Sequence, residues 1–131
     1  MRQERAEFAF VYRFVVSFFG GNPLHAHVFH DGVIQRLVDK GRTWVKLSVT
    51  YDNTKDGPPG YADITKVAQA YIKAAPERVV WGSDWPHPTE KDKPNDAALF
   101  DLLAEWAPDA AQRERILVTN PEALYGFAKA A

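Results

Sequence analysis

The stretch that decides the fold is Val79-Val80-Trp81-Gly82-Ser83-Asp84-Trp85-Pro86-His87-Pro88. β-Branched and aromatic residues, then a glycine, then a proline-closed turn predict a buried strand that stops inside this decapeptide. Asp84 falls where that strand gives way to loop. In α/β folds ligands bind outside this carboxyl edge of the strands, and in a (β/α)8 barrel catalytic groups are carried there. A partly desolvated carboxylate set between Trp81 and Trp85 also needs a partner or a suppressed charge. Two readings of Asp84 stay open on the residues alone. It is a functional carboxylate at a strand mouth, or it caps the turn by accepting from neighbouring backbone N–H groups.

Working upstream, Tyr61 to Ala75 predicts a helix, with Ile64, Val67, Ala68, Tyr71 and Ile72 at helical spacing and Pro76 as its stop. Before it, Trp44-Val45-Lys46-Leu47-Ser48-Val49 reads as a second buried strand, followed by a Gly- and Pro-rich loop over 50–60. Strand, helix, strand in this order is the βαβ unit of a parallel sheet. Lys46 stands out within its strand. It can reach a substrate anion or Asp84, or simply carry its charge out to water along an apolar stem. Further upstream, Asp31 and Gly41 bracket a helix carrying Val33, Ile34, Leu37 and Val38 on one face. Downstream, a charged loop over 89–95 leads to a helix ending at Trp106. Pro108-Asp109 starts the next helix, Asn120-Pro121 breaks it, and a last turn with Leu124, Tyr125 and Phe127 seals the bottom of the core. His87 sits at the root of the charged loop, close to Asp84 along the chain, where it hydrogen-bonds a substrate or caps the turn.

The strand-like run Leu24-His25-Ala26-His27-Val28-Phe29-His30 places two imidazoles on one face, as a divalent metal requires. Two histidines leave a site short of further ligands, so loop histidines ahead of a helix are the alternative. Phe8 to Phe19 is too short for a transmembrane helix, which needs about 20 apolar residues. Glu4, Glu7 and Arg13 also argue against a signal peptide. A cytoplasmic protein is expected.

Three segments together resemble the amidohydrolase-related family, most closely its 2-pyrone-4,6-dicarboxylate lactonase-like hydrolases. The run from Pro76 to Pro88 looks like the family's last barrel strand, and Trp44-Val45-Lys46-Leu47-Ser48 like the preceding one. Asn120-Pro121-Glu122-Ala123-Leu124-Tyr125-Gly126-Phe127 resembles its closing motif. The resemblance covers residues 31 to 127. It implies an α/β chain forming part of a (β/α)8 TIM barrel, with parallel strands and outer helices. Residues 1–30 would be a divergent N-terminal segment and residues 31–131 the C-terminal part of the barrel. It also implies a hydrolase in which the carboxylate matching Asp84 is general base for water and, in many members, a metal ligand. Tyr51, Lys46 and His87 would line the mouth and bind substrate. A divalent metal such as zinc, held by Asp84 with His25 and His27, is one expectation; metal-independent hydrolysis is the other. The His-x-His-Val-Phe of the family's first strand is similar to residues 25–29, but here Leu24 replaces the usual preceding Asp and only a short helix separates the motif from Trp44. Family members commonly carry Tyr-Arg where this chain has Tyr51-Asp52, a reversal of local charge that weakens the expectation of an anionic substrate.

The chain has 131 residues, about half of what a whole barrel of this type needs. A net charge of −1 offers no basic footprint for nucleic acid or anionic membrane, and the lack of cysteine excludes thiol catalysis. Gly82-Ser83-Asp84 lacks the second glycine of a nucleophile elbow, so water activation is the chemistry with sequence support. The expected partner is a small-molecule carbonyl compound. The alternative is a catalytically inactive barrel fragment, covering its open strand edges in a homo-oligomer or split enzyme.

Overall fold

Val45–Leu47 (β1) and Val79–Trp81 (β2) pair in parallel, with Val45 opposite Val79, Lys46 opposite Val80 and Leu47 opposite Trp81. This is a computed structural model, and it describes residues 36, 43–51 and 54–127. The connection between the strands is the helix Ala62–Ala74 (α1), as a parallel pair demands, followed by a short 3-10 turn over Pro76–Arg78. After β2 come Asp96–Trp106 (α2) and Ala110–Glu114 (α3), then a π-helical turn Arg115–Thr119 and the helix Asn120–Tyr125 (α4). The chain is α/β with parallel strands and helices against them. Among the described residues no helix is long and apolar enough to cross a membrane.

Side chains alternate across a strand, so each strand has two differently covered faces. Val45, Leu47 and Val79 turn to the helices and join Ile64, Ala68, Tyr71, Leu99, Leu103 and Trp106 in the main core. Trp81 packs against the same core and meets Phe100 of α2 edge to face. Burial raises the Tyr71 hydroxyl well above its usual pKa. The indole N–H of Trp106 donates to Thr65 Oγ1 at 3.0 Å, tying α2 to α1 while satisfying a buried donor. Asn95 caps α2 by accepting from Ala97 N–H and Ala98 N–H.

The other face of the pair carries Trp44, Lys46, Val80 and Gly82. At its amino end Trp44 and Val80 pack with Leu124 of α4, and the Arg78 guanidinium lies 4.9 Å from the centre of the Trp44 ring. Asn120 Nδ2 donates to Pro76 O at 2.9 Å and to Val79 O at 2.6 Å, closing this end with side-chain amide in place of water.

Two expectations are corrected here. Asn120-Pro121 does not break the last helix. The turn before it widens, so that Asn120 N–H reaches back five residues to Arg115 O, and Pro121 falls in the first turn of α4, where its missing N–H costs nothing. β1 is also shorter than the apolar run Trp44–Val49 that suggested it, because Val49 turns left-handed at φ 57°. The helix read between Asp31 and Gly41 is described only at Arg36, which is helical and exposed. The boundary at residue 30, the apolar segment 8–19, His25, His27 and Asp52 lie outside the described residues.

Candidate active site

The ladder ends where Gly82 N–H donates to Leu47 O at 3.1 Å, and the chain beyond it forms the rim opposite the Asn120 closure. Gly82 leaves room for Lys46 to pass close over the strand. A Cβ at this position would collide with Lys46 Cε, whose stem crosses the strand at Gly82 and lies 3.1 Å at Nζ from where that Cβ would stand. Lys46 is opposite Val80 in register, so reaching Gly82 means leaning towards the carboxyl end, the same end as Asp84. No ion pair joins Lys46 to Asp84.

Asp84 and His87 are both left-handed, at φ 69° and 55°, and with Val49 they place three non-glycine residues of positive φ at one rim. A β-branched residue in this region is a true outlier, and each such residue costs on the order of 1–3 kcal/mol, tolerated where surrounding contacts hold it. The turn itself closes through His87 N–H donating to Asp84 O at 2.8 Å, and Ser83 Oγ accepts from Trp85 N–H at 3.1 Å. Ser83 therefore supplies the side-chain bond within this turn, and the Asp84 carboxylate points elsewhere. Its Oδ2 accepts from the Tyr51 hydroxyl at 2.8 Å. Oδ1 has no hydrogen-bond partner among the described residues.

From Tyr51 the contacts continue inward. Tyr51 Oη lies 3.1 Å from His87 Nδ1, the two rings meeting edge to face at 5.3 Å, and His87 Nε2 lies 2.9 Å from Asp96 Oδ1. His87 is 2% exposed, so neither ring nitrogen faces open solvent. Asp96 occupies the first turn of α2, where the unpaired amides favour a negative charge. Lys93 Nζ holds the loop by donating to His87 O at 2.6 Å and to Glu90 O. Tyr51, Asp84, His87 and Asp96 thus form one continuous hydrogen-bonded row from rim to helix.

Residues 12–127 match the amidohydrolase family. The chain belongs to that family. It is 41% identical over 93 residues to a D-galactarolactone isomerase of Agrobacterium fabrum, covering 69% of this chain and 32% of that protein. It is 44% identical over 86 residues to a 4-sulfomuconolactone hydrolase of Hydrogenophaga intermedia, covering 63% and 28%. A 2-pyrone-4,6-dicarboxylate hydrolase of Comamonas testosteroni is 40% identical over 82 residues, covering 61% and 27%. Among solved structures, an apo protein of Agrobacterium tumefaciens superposes with a TM-score of 0.68 at 38% identity, over 76% of this chain and 35% of that one. The chain thus spans about a third of the length of the relatives it matches.

The amidohydrolase relationship raises the question of a metal. Among the described residues no three His, Asp or Glu side chains are grouped to hold one. His87 cannot serve while both ring nitrogens are engaged by Tyr51 and Asp96. Among the described residues Asp84 is the candidate ligand that remains. Asp96 and Ser83 were missed in the sequence. Asp96 reads there only as a helix-start residue, and the eight residues 88–95 separate it from the histidine it meets.

Proposed function

We propose that the chain belongs to a lactone hydrolase and forms strand–helix units of its (β/α)8 barrel, with Asp84 as general base. The observation that carries this reading is the Asp84 carboxylate at the carboxyl end of β2, fixed on Oδ2 by Tyr51 and with Oδ1 left for a water. Asp84 takes a proton from that water as its oxygen bonds to the carbonyl carbon, and the C=O π pair moves to oxygen. Lys46, leaning over Gly82 towards the same end, supplies a positive charge for the oxyanion or for an acidic group of the substrate. The substrate class, a small lactone, rests on the names of three similar proteins, all of which act on lactones or 2-pyrone dicarboxylate.

The test is hydrolysis of 2-pyrone-4,6-dicarboxylate and of a muconolactone by the purified chain, with and without added Zn²⁺ or Mn²⁺. Turnover that disappears in Asp84→Asn supports the assignment. Turnover that survives this substitution overturns it. A folded chain that turns over nothing under any of these conditions favours the inactive-fragment reading instead.

A further inference from the structure

Resting on the role proposed for Asp84, we propose that Lys93 is a positioning residue. Its ammonium clamps the left-handed double turn that carries Asp84 and His87, and so keeps the Asp84 carboxylate aimed at the strand mouth. The turn runs in steps of three residues. His87 N–H donates to Asp84 O at 2.8 Å, and Glu90 N–H donates to His87 O at 3.1 Å. A side chain makes the next step: Glu90 O accepts from Lys93 Nζ. The same Nζ donates to His87 O at 2.6 Å, so one ammonium, with three donors, closes two carbonyls of the turn.

His87 is where this clamp matters. It stands at φ 55°, and Asp84, bonded to it through the turn, at φ 69°. Neither residue is glycine, so each tends to return to ordinary backbone unless its surroundings prevent it. Such a return at His87 has to swing either the ring or the carbonyl. The ring is 2% exposed and held between Tyr51 and Asp96, so it cannot follow. The carbonyl is the remaining handle, and Lys93 holds it with a charge-assisted bond. If His87 relaxed, its N–H would move off Asp84 O, and the Asp84 carboxylate would lose its aim.

The local sequence suits Lys93 to this task. Pro94 disfavours helical backbone at the residue before it, and Asn95 caps α2, so Lys93 stays outside the helix and its stem turns back along the loop. Lys93 is exposed, so truncating it opens no hole in the core. Lys93→Met keeps most of the stem and removes the donors. Lys93→Arg keeps both charge and donors.

Amide hydrogen exchange in the full chain reads the clamp without turnover. In Lys93→Met the His87 and Glu90 amides should exchange about tenfold faster, with the amides of α1 and β2 at the parent rate. Lys93→Arg should restore protection at both. Unchanged exchange at His87 and Glu90 overturns the clamp, and so does an equal acceleration throughout α1 and β2, which would mark global loss of stability. With no turnover in the parent, this pattern alone decides. On a lactone that is turned over, Lys93→Met should lower kcat about tenfold with KM unchanged, and Lys93→Arg should recover it. Parent kcat in Lys93→Met, beside turnover abolished in Asp84→Asn, leaves the base and refutes the positioning. Turnover retained in Asp84→Asn refutes the base itself, and with it the purpose given to the clamp, whatever the exchange shows.

Discussion

The two ends of the β1–β2 pair are built from the same strands and solve opposite problems. At the amino end Asn120 covers the Pro76 and Val79 carbonyls, Leu124 packs on Trp44 and Val80, and Arg78 lies over the Trp44 ring. At the carboxyl end, three non-glycine residues hold left-handed backbone, a lysine crosses a glycine, and four polar side chains form one hydrogen-bonded row. The difference teaches where each kind of free energy sits. One end spends hydrogen bonds on stability, and the other accepts local strain to aim a carboxylate.

The contrast is broken most severely at Asp84. Asp84→Asn should lower kcat on a lactone by about 10²- to 10⁴-fold, the usual contribution of a general base, while the denaturant midpoint hardly moves. Steady-state kinetics beside urea unfolding check both halves. A large stability loss would mean that the rim is structural after all.

At the closed end the signature reverses. Asn120→Ala strips donors from two carbonyls and should cost about 1–3 kcal/mol in urea unfolding. KM for any substrate should stay where it was. A shift in KM would show that the two ends are coupled.

Gly82→Ala sharpens the comparison within the rim. The added methyl meets the flexible end of Lys46, which can swing away, so the stability cost should stay below about 1 kcal/mol. If Lys46 binds substrate, KM should rise. An unchanged KM would reduce Lys46 to a charge carried out to water.

The smallest effect lies away from both ends, at Asp63 on the first turn of α1. Desolvation pushes this carboxyl up, but hydrogen bonds from Lys55 N–H, the Thr54 hydroxyl and Ile64 N–H outweigh it and hold it below the ordinary 3.8. Between the lowered folded pKa and the unfolded one, the unfolded chain binds more protons. The stability that Asp63 contributes is therefore present above the unfolded pKa and lost as pH falls through the folded one. Unfolding between about pH 5 and pH 2 should be slightly less pH-dependent in Asp63→Asn.

Much of this organisation is legible in the residues. Val79-Val80-Trp81 is a strand because β-branched and aromatic side chains need a face on each side. The spacing of Ile64, Ala68, Tyr71 and Ile72 is a helix because one stripe must be covered. The closing Asn120 motif seals the amino end because an amide at that point finds two bare carbonyls. What periodicity misreads is the run through Arg115–Thr119. Pro121 looks like a break, but a wider turn relocates the missing donor to a helix start. Of that run only Ile116 is buried, while Leu117 and Val118 are exposed.

The candidate site was readable only as single residues, not as a network. Sequence alone set Asp84 at the end of a strand, because apolar alternation and the proline turn fix where a strand must stop. It also gave a parallel pair, because a helix joins the two strands. Only the tertiary structure decided that Asp84 meets Tyr51, that Tyr51 meets His87, and that His87 meets Asp96. Those partners lie 33, 36 and 9 residues apart. Hydrogen bonds over such separations depend on how left-handed residues at Val49, Asp84 and His87 direct the loops after β1 and β2, and side-chain pattern carries no trace of that direction.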